Sequence, residues 1–289
     1  MYNLSGDANL TIKLEGTNTI KDVSTAIYVL ANTTGSASLT ITGDGILSAS
    51  SGFNPGIRVQ SNTGNGTLAI TGAKVTASSS YGGNGVQIRC GDSSNASLTV
   101  NGGSLTATGS GATFAGIHLQ FGSGGSGTGT PTVTVSNNAI VRANGSTGGI
   151  ARNSSTEVQF GAGPGIVFDG KNGTVYGDVE LQEDLEIGEG ESLTIENGAS
   201  LNTGNHEVIV NGGTLIGEVN GNQPPQITPQ PQNKIVTEGE SATFTIEASG
   251  SESLSYQWQE STDSGSNWRS IVGATSTSYE IATTNTAVW

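Results

Sequence analysis

This 289-residue chain is poor in positive charge, with 10 Lys and Arg against 24 Asp and Glu and a formal net charge of −14. That balance excludes the clustered cations that bind nucleic acid, and it disfavours anionic membrane surfaces. Cysteine is nearly missing, because Cys90 stands alone and no intrachain disulfide can form. Aromatics make up 5% of the chain, and no apolar run reaches the ~18 residues that a membrane span needs. Helical periodicity is absent as well. No leader pattern precedes Asn3 and the chain starts inside a strand-like pattern, so a piece of a longer multidomain protein is expected.

What is present is a repeat. The phrase reads LTI at Leu10–Ile12 and Leu39–Ile41, LAI at Leu68–Ile70, LTV at Leu98–Val100 and VTV at Val133–Val135, at steps of 29, 29, 30 and 35 residues. Two more phrases follow in fixed order. One is Leu47/Ala49, Val75/Ala77, Leu105/Ala107, Val141/Ala143. The other is Ala26-Ile27, Gly56-Ile57, Gly85-Val86, Gly116-Ile117, Gly149-Ile150. Three short strands per unit, none able to bury its apolar face alone, predict a coiled β-solenoid. The 45 glycines, with Asn and Ser between the runs, supply the turns. Triplets such as Asn9-Leu10-Thr11 and Asn65-Gly66-Thr67 are read as turn chemistry, and Cys90 as a small buried residue continuing Val86 and Ile88.

From about 157 to 220 the strand pattern becomes shorter and irregular, as expected of capping coils. An acidic run there (Asp178, Glu180, Glu183, Asp184, Glu186, Glu189, Glu191) reads as a solvated face; a Ca²⁺ site in it would be a loose one, lacking the Asp-x-Asp-x-Asp-Gly spacing. A Pro-containing linker follows, and the texture then changes. The segment GESATFTIEASGSESLSYQWQESTDSGSNWRSIVGATSTSYEI resembles the bacterial immunoglobulin-like modules of Gram-positive surface proteins. The resemblance implies a core Trp258 facing Phe244 and Ile246, and a module truncated before its last two strands. The phrases LTIKLEGTNTI, LTITGDGILSAS and LTVNGGSLTAT resemble the pectate-lyase-like right-handed parallel β-helices, in particular the carbohydrate-binding domains of clostridial and gut-bacterial surface proteins. The expected fold is therefore all-β: a right-handed parallel β-helix of 29–35 residues per coil over 1–222, then a linker and partial Ig-like β-sandwich over 223–289.

Alternation along the third strand of each coil points Ile57/Val59, Val86/Ile88 and Ile117/Leu119 inward. Arg58/Gln60, Gln87/Arg89 and His118/Gln120 then face outward as two columns, with Tyr28/Leu30 one coil earlier. Arg58, Arg89 and Arg152, three of the five arginines, fall on or beside this face. Phe53, Tyr81 and Phe114 precede these strands and would form an aromatic ridge. Sugar rings pack on aromatics, their hydroxyls need amide and guanidinium partners, and Arg pairs with uronate carboxylates.

The predicted function is therefore non-catalytic binding of a polysaccharide, an acidic plant or host glycan being one candidate, although the net negative charge works against acidic glycans at long range. The carbohydrate-binding residues would be Arg58, Gln60, Gln87, Arg89, His118, Gln120, Phe53, Tyr81 and Phe114. The setting implied by the resemblance is a bacterial cell surface or secreted protein, with no nucleic acid partner and no membrane insertion. A structural stalk or protein-binding adhesin is the main alternative, and a β-helix polysaccharide lyase the second. Catalysis is disfavoured because the face offers arginines but no convergent carboxylates. No cofactor is expected, Ca²⁺ being the one candidate.

Overall fold

The structure, a computed structural model, describes residues 2–4, 6–122, 127–221, 226–227, 231–237, 239–249 and 254–282. The chain divides into two compact units, Met1–Asn220 and Gly221–Trp289. The first opens with β1 (Tyr2–Leu4) and then winds through five coils of three strands. These are β2 (Ala8–Leu14), β3 (Thr17–Asp22), β4 (Ile27–Ala31); β5 (Ala37–Gly43), β6 (Ile46–Ser51), β7 (Ile57–Ser61); and β8 (Gly66–Thr71), β9 (Lys74–Ser79), β10 (Val86–Cys90). The last two coils are β11 (Ala96–Asn101), β12 (Ser104–Thr108), β13 (Ile117–Phe121); and β14 (Pro131–Ser136), β15 (Ala139–Asn144), β16 (Ile150–Arg152). Equivalent strands stack in parallel into three sheets. Sheet A runs β1-β4-β7-β10-β13-β16, sheet B begins β2-β5-β8-β11-β14, and sheet C begins β3-β6-β9-β12-β15. This is a parallel β-solenoid of about five turns, of the right-handed type.

The repeated phrases are the register. Leu10, Leu39, Leu68, Leu98 and Val133 are successive partners in sheet B, and Leu47, Val75, Leu105 and Val141 in sheet C. From Leu39 onward these residues are at most 2% exposed, whereas Leu10 on the open first coil is half-buried. Each such side chain contributes ~1.5–3 kcal/mol by burial.

A polar ladder ties the coils together at the turn into sheet B. The Ser36 amide donates to Asp7 Oδ1 (2.7 Å), Asn65 N to Ser36 Oγ (3.1 Å), Asn95 N to Asn65 Oδ1 (2.9 Å) and Thr130 N to Asn95 Oδ1 (3.4 Å). Asn65 is thus engaged in turn chemistry. The Gly of the Gly-Ile phrase is explained by close approach. A Cβ on Gly85 would stand 2.4 Å from Thr108 N and 2.7 Å from Ala77 O, both rigid backbone.

Residues after 157 extend the solenoid and then build a second stack. First β17 (Gln159–Ala162) and β18 (Gly165–Asp169) extend sheets B and C. A hairpin then reverses the chain, and β19 (Asn172–Tyr176) pairs antiparallel with β18. A second, smaller stack follows: β20 (Asp178–Glu180), β21 (Leu185–Ile187), β22 (Ser192–Ile195), β23 (Ser200–Asn202), β24 (Val208–Val210), β25 (Thr214–Ile216) and β26 (Val219–Asn220). Its strands pair in parallel as β19-β22-β25, β20-β23-β26 and β21-β24, so sheet C grows to nine strands.

The reversal moves the core to the other face of sheet C. Val167 points into the first core, while its neighbours Ile166 and Phe168 join Ile140, Val175, Leu185, Ile187, Leu193 and Leu201 in a second. That is why β18 reads as a continuous apolar run: both of its faces are covered.

The second unit is described through three antiparallel pairs, β27 (Gln226–Ile227) with β29 (Ala248–Ser249), β28 (Ser241–Thr245) with β32 (Ser278–Ala282), and β30 (Gln259–Glu260) with β31 (Arg269–Ser270). Trp258 stacks on Tyr279 at 6.0 Å, and its Nε1 donates to Ser276 O at 2.8 Å. Tyr279 in turn pairs in register with Phe244 across β28 and β32. Among the described residues of this unit the only buried apolar groups are Ala242 and Ala274, at 8% and 9% exposure.

Candidate functional site

The alternation predicted for sheet A is realised. Ile57, Val59, Val86, Ile88, Ile117 and Leu119 are all 0% exposed. Their neighbours line up outside in two registers, Tyr28–Arg58–Gln87–His118–Ala151 and Leu30–Gln60–Arg89–Gln120. Arg152 departs from its expected place. It pairs in register with Leu119, an inward column, on the last strand of the sheet, where no further coil covers it. There its Nε donates to Thr156 O at 2.7 Å and its guanidinium ion-pairs with Glu157.

The polar columns are partly knitted together. Tyr28 Oη donates to Gln60 Oε1 at 2.9 Å, Gln60 Nε2 to Asn62 Oδ1 at 2.9 Å, and Asn62 Nδ2 to Asn32 O at 2.6 Å. Gln60 is only 8% exposed, and its amide bonds on both sides, so it acts as scaffold beneath the surface. Gln87 Nε2 donates to Gln120 Oε1 at 2.7 Å, which leaves one amide group on each for a ligand. His118 has its pKa lowered by burial, which keeps the imidazole neutral at pH 7 and able both to donate and to accept.

The two arginines stand apart from this network. The Arg58 guanidinium lies over the Tyr28 ring at 5.1 Å, and among the described residues neither Arg58 nor Arg89 has a carboxylate partner. The buried Nε atoms of both lack any hydrogen-bond acceptor. An orphaned buried donor costs ~1–3 kcal/mol, more for a charged group. Burial lowers the Arg58 pKa, Tyr28 opposes that shift, and the like charge of Arg89 adds to it. Two half-buried cations without anions, in a protein of net charge −14, form an unsatisfied electrostatic feature.

The aromatic ridge is realised in part. Phe53 is 62% and Tyr81 74% exposed, and their rings stack at 5.4 Å with 30° between planes. They sit level because Phe53 N donates to Val23 O and Tyr81 N to Gly52 O in successive coils. Phe114 is half-buried over glycine: Cβ atoms on Gly82 and Gly111 would stand 3.6 Å and 3.2 Å from its ring.

Sequence reasoning noted Tyr28 only as an earlier member of the column and did not single out Asn62. Both precede or flank the columns, and the coil register was the signal for Tyr28.

Arg142 was also passed over. It breaks the hydroxyl column Ser48–Thr76–Thr106 on the outer face of sheet C. It lies 3.9 Å over the Phe168 ring and bonds Glu191 at 3.1 Å and Glu186 O at 2.5 Å. Lys74 ion-pairs with Glu183, and Lys171 donates to Glu189 O. The acidic run is thus in good part a strap pinned across sheet C, lining an open groove of about 720 Å³ beside Thr106, Arg142 and Lys171. Among the described residues, no group of three or more His, Cys, Asp and Glu side chains is placed to hold a metal ion.

Residues 226–289 match a family described as Domain of unknown function (DUF8696). No curated protein and no solved structure matches the chain.

Proposed function

We propose that this protein is a non-catalytic polysaccharide-binding module of a bacterial cell-surface or secreted protein, and that the outer face of sheet A is the binding surface. In this reading the solenoid is a pectate-lyase-like β-helix and residues 223–289 contain an immunoglobulin-like module used as a spacer. The observation that carries it is the exposed Phe53–Tyr81 stack, in the loops leading into the strands that bear Arg58, Gln87 and Arg89. Exposed stacked rings offer flat apolar platforms to sugar rings. The open amide groups of Gln87 and Gln120, with neutral His118, offer hydroxyl partners. The two columns hold no carboxylate to pair with an arginine as acid and base, which favours binding over lyase or glycosidase chemistry.

A structural stalk or protein-binding adhesin is the second reading. Phe114 favours it, because it packs down on glycine instead of standing free. Calorimetry of the full chain against neutral and acidic glycans, in Ca²⁺ and in EDTA, separates the two. Binding lost in the Phe53→Ala/Tyr81→Ala variant, with no unsaturated sugars released, supports the glycan surface. A folded protein that binds no glycan overturns it and leaves the stalk.

A further inference from the structure

We infer that Arg58 and Arg89 are two separate contact points for a polymer carrying repeated anionic groups, carboxylate or sulfate, with Tyr28 as the positioning residue for Arg58. The inference rests on the reading of sheet A as a glycan surface and goes beyond it in assigning charge, number of contacts and a residue that sets their spacing.

Both guanidiniums lack an anion and an acceptor for Nε among the described residues, although the chain holds 24 Asp and Glu. Four other cations on the solenoid are answered, Lys13 by Glu15, Lys74 by Glu183, Arg142 by Glu191 and Arg152 by Glu157, whereas the exposed Lys21 has no carboxylate partner among the described residues and Lys171 bonds the Glu189 carbonyl. Geometry decides between one shared anion and two. Arg58 and Arg89 are diagonal neighbours, since Arg58 pairs with Gln87 and Arg89 with Gln60. The backbones at the two positions lie one strand spacing and two residues apart, ~8 Å on the diagonal, and Arg58 is held against the Tyr28 ring, so each cation has a seat of its own. Tyr28 is itself fixed through Gln60, Asn62 and Asn32 O, so the Arg58 position is built into the scaffold. Linking two contacts on one chain makes the second effectively intramolecular, so affinity must depend on polymer length.

The experiment is calorimetry of the full chain with polygalacturonate, its methyl ester, dextran sulfate, dextran and a galacturonate monomer. Acidic polymers should bind at least tenfold tighter than their uncharged counterparts, and the monomer far more weakly than either acidic polymer. The carboxylate and sulfate arms identify which anion is preferred. Arg58→Gln and Arg89→Gln should each weaken acidic-polymer binding about tenfold to a hundredfold, with losses that multiply in the double variant. Tyr28→Leu should weaken it several-fold while leaving dextran unaffected, a selectivity that general loss of structure would not give. Acidic and uncharged polymers binding alike, with both dependent on Phe53 and Tyr81, would overturn this inference and leave the glycan surface standing. Monomer binding as tight as polymer, or arginine losses that fail to multiply, would overturn the two-point geometry. No binding to any glycan would sink both.

Discussion

The two coil stacks of the first unit solve the same problem with different means. The first winds at 29–35 residues per coil, and most of its strands bury two or more side chains, as β10 buries Val86, Ile88 and Cys90 and β13 buries Ile117, Leu119 and Phe121. The second is built from strands of two to five residues such as β20, which buries Val179 alone, and β21, which buries Leu185 and Ile187. A short coil encloses too little apolar surface to stand by itself. The second stack therefore borrows sheet C, through Ile140, Ile166 and Phe168, and adds ion pairs across it. In a solenoid, coil length decides whether a stack is self-sufficient or dependent.

Removing the shared wall tests this most severely. Phe168→Ala should cost about 3–5 kcal/mol, because a fully buried ring is lost from the second core together with its contact to Arg142. Hydrogen exchange should rise over 172–220 while 57–121 stays protected; uniform loosening would erase the distinction between the stacks.

Gly85→Ala probes the first stack at its tightest corner. The added methyl meets backbone on two sides and should cost about 1–3 kcal/mol, read in denaturant unfolding, with the loss centred on coils three and four.

The strap comes next. Arg142 and Glu191 are 21% and 19% exposed, so Glu191→Gln should destabilise the second stack by about 1–3 kcal/mol. The more exposed Lys74–Glu183 pair should contribute less than ~1 kcal/mol and fade with added salt. Equal effects at the two pairs would show that burial is not what distinguishes them.

The smallest effects are titrations in the first stack. Burial, with Asp92 nearby, pushes the Cys90 thiol from 9.0 up to about 12. Between those values the unfolded chain gives up the proton and the native chain keeps it, so stability is intact below pH 9 and declines from there toward pH 12. Native Cys90 should resist iodoacetamide at pH 8 and react on unfolding. His118 has the opposite sign. Its lowered pKa means that the unfolded chain takes a proton first, so stability falls as pH drops below about 6.5, which an NMR titration of the imidazole would follow.

Much of the first stack could be read from residue order alone. The Leu-Thr-Ile phrases specify the register because a slip of one residue would turn every apolar side chain outward. The outward columns on sheet A follow from the same period of two, which is why Arg58, Gln87 and His118 were placed side by side without coordinates. The second stack was not legible in this way. Its strands are too short for a periodic signal, and β23 and β26 carry one apolar residue each.

What the sequence determined by itself was therefore the solenoid, its coil boundaries and the sides its strands present, since these follow from local alternation repeated at a fixed step. Only the tertiary structure decided the rest. The hairpin at β18–β19 sends the chain to the other face of sheet C and turns a run of acids into a strap. The register of the last strand places Arg152 in an inward column. Side-chain partners separate Gln60, which is spent on Tyr28 and Asn62, from Arg58 and Arg89, which have no carboxylate partner among the described residues. Pattern reports which way a side chain points; whether a charge is already answered depends on groups distant in sequence that packing brings together.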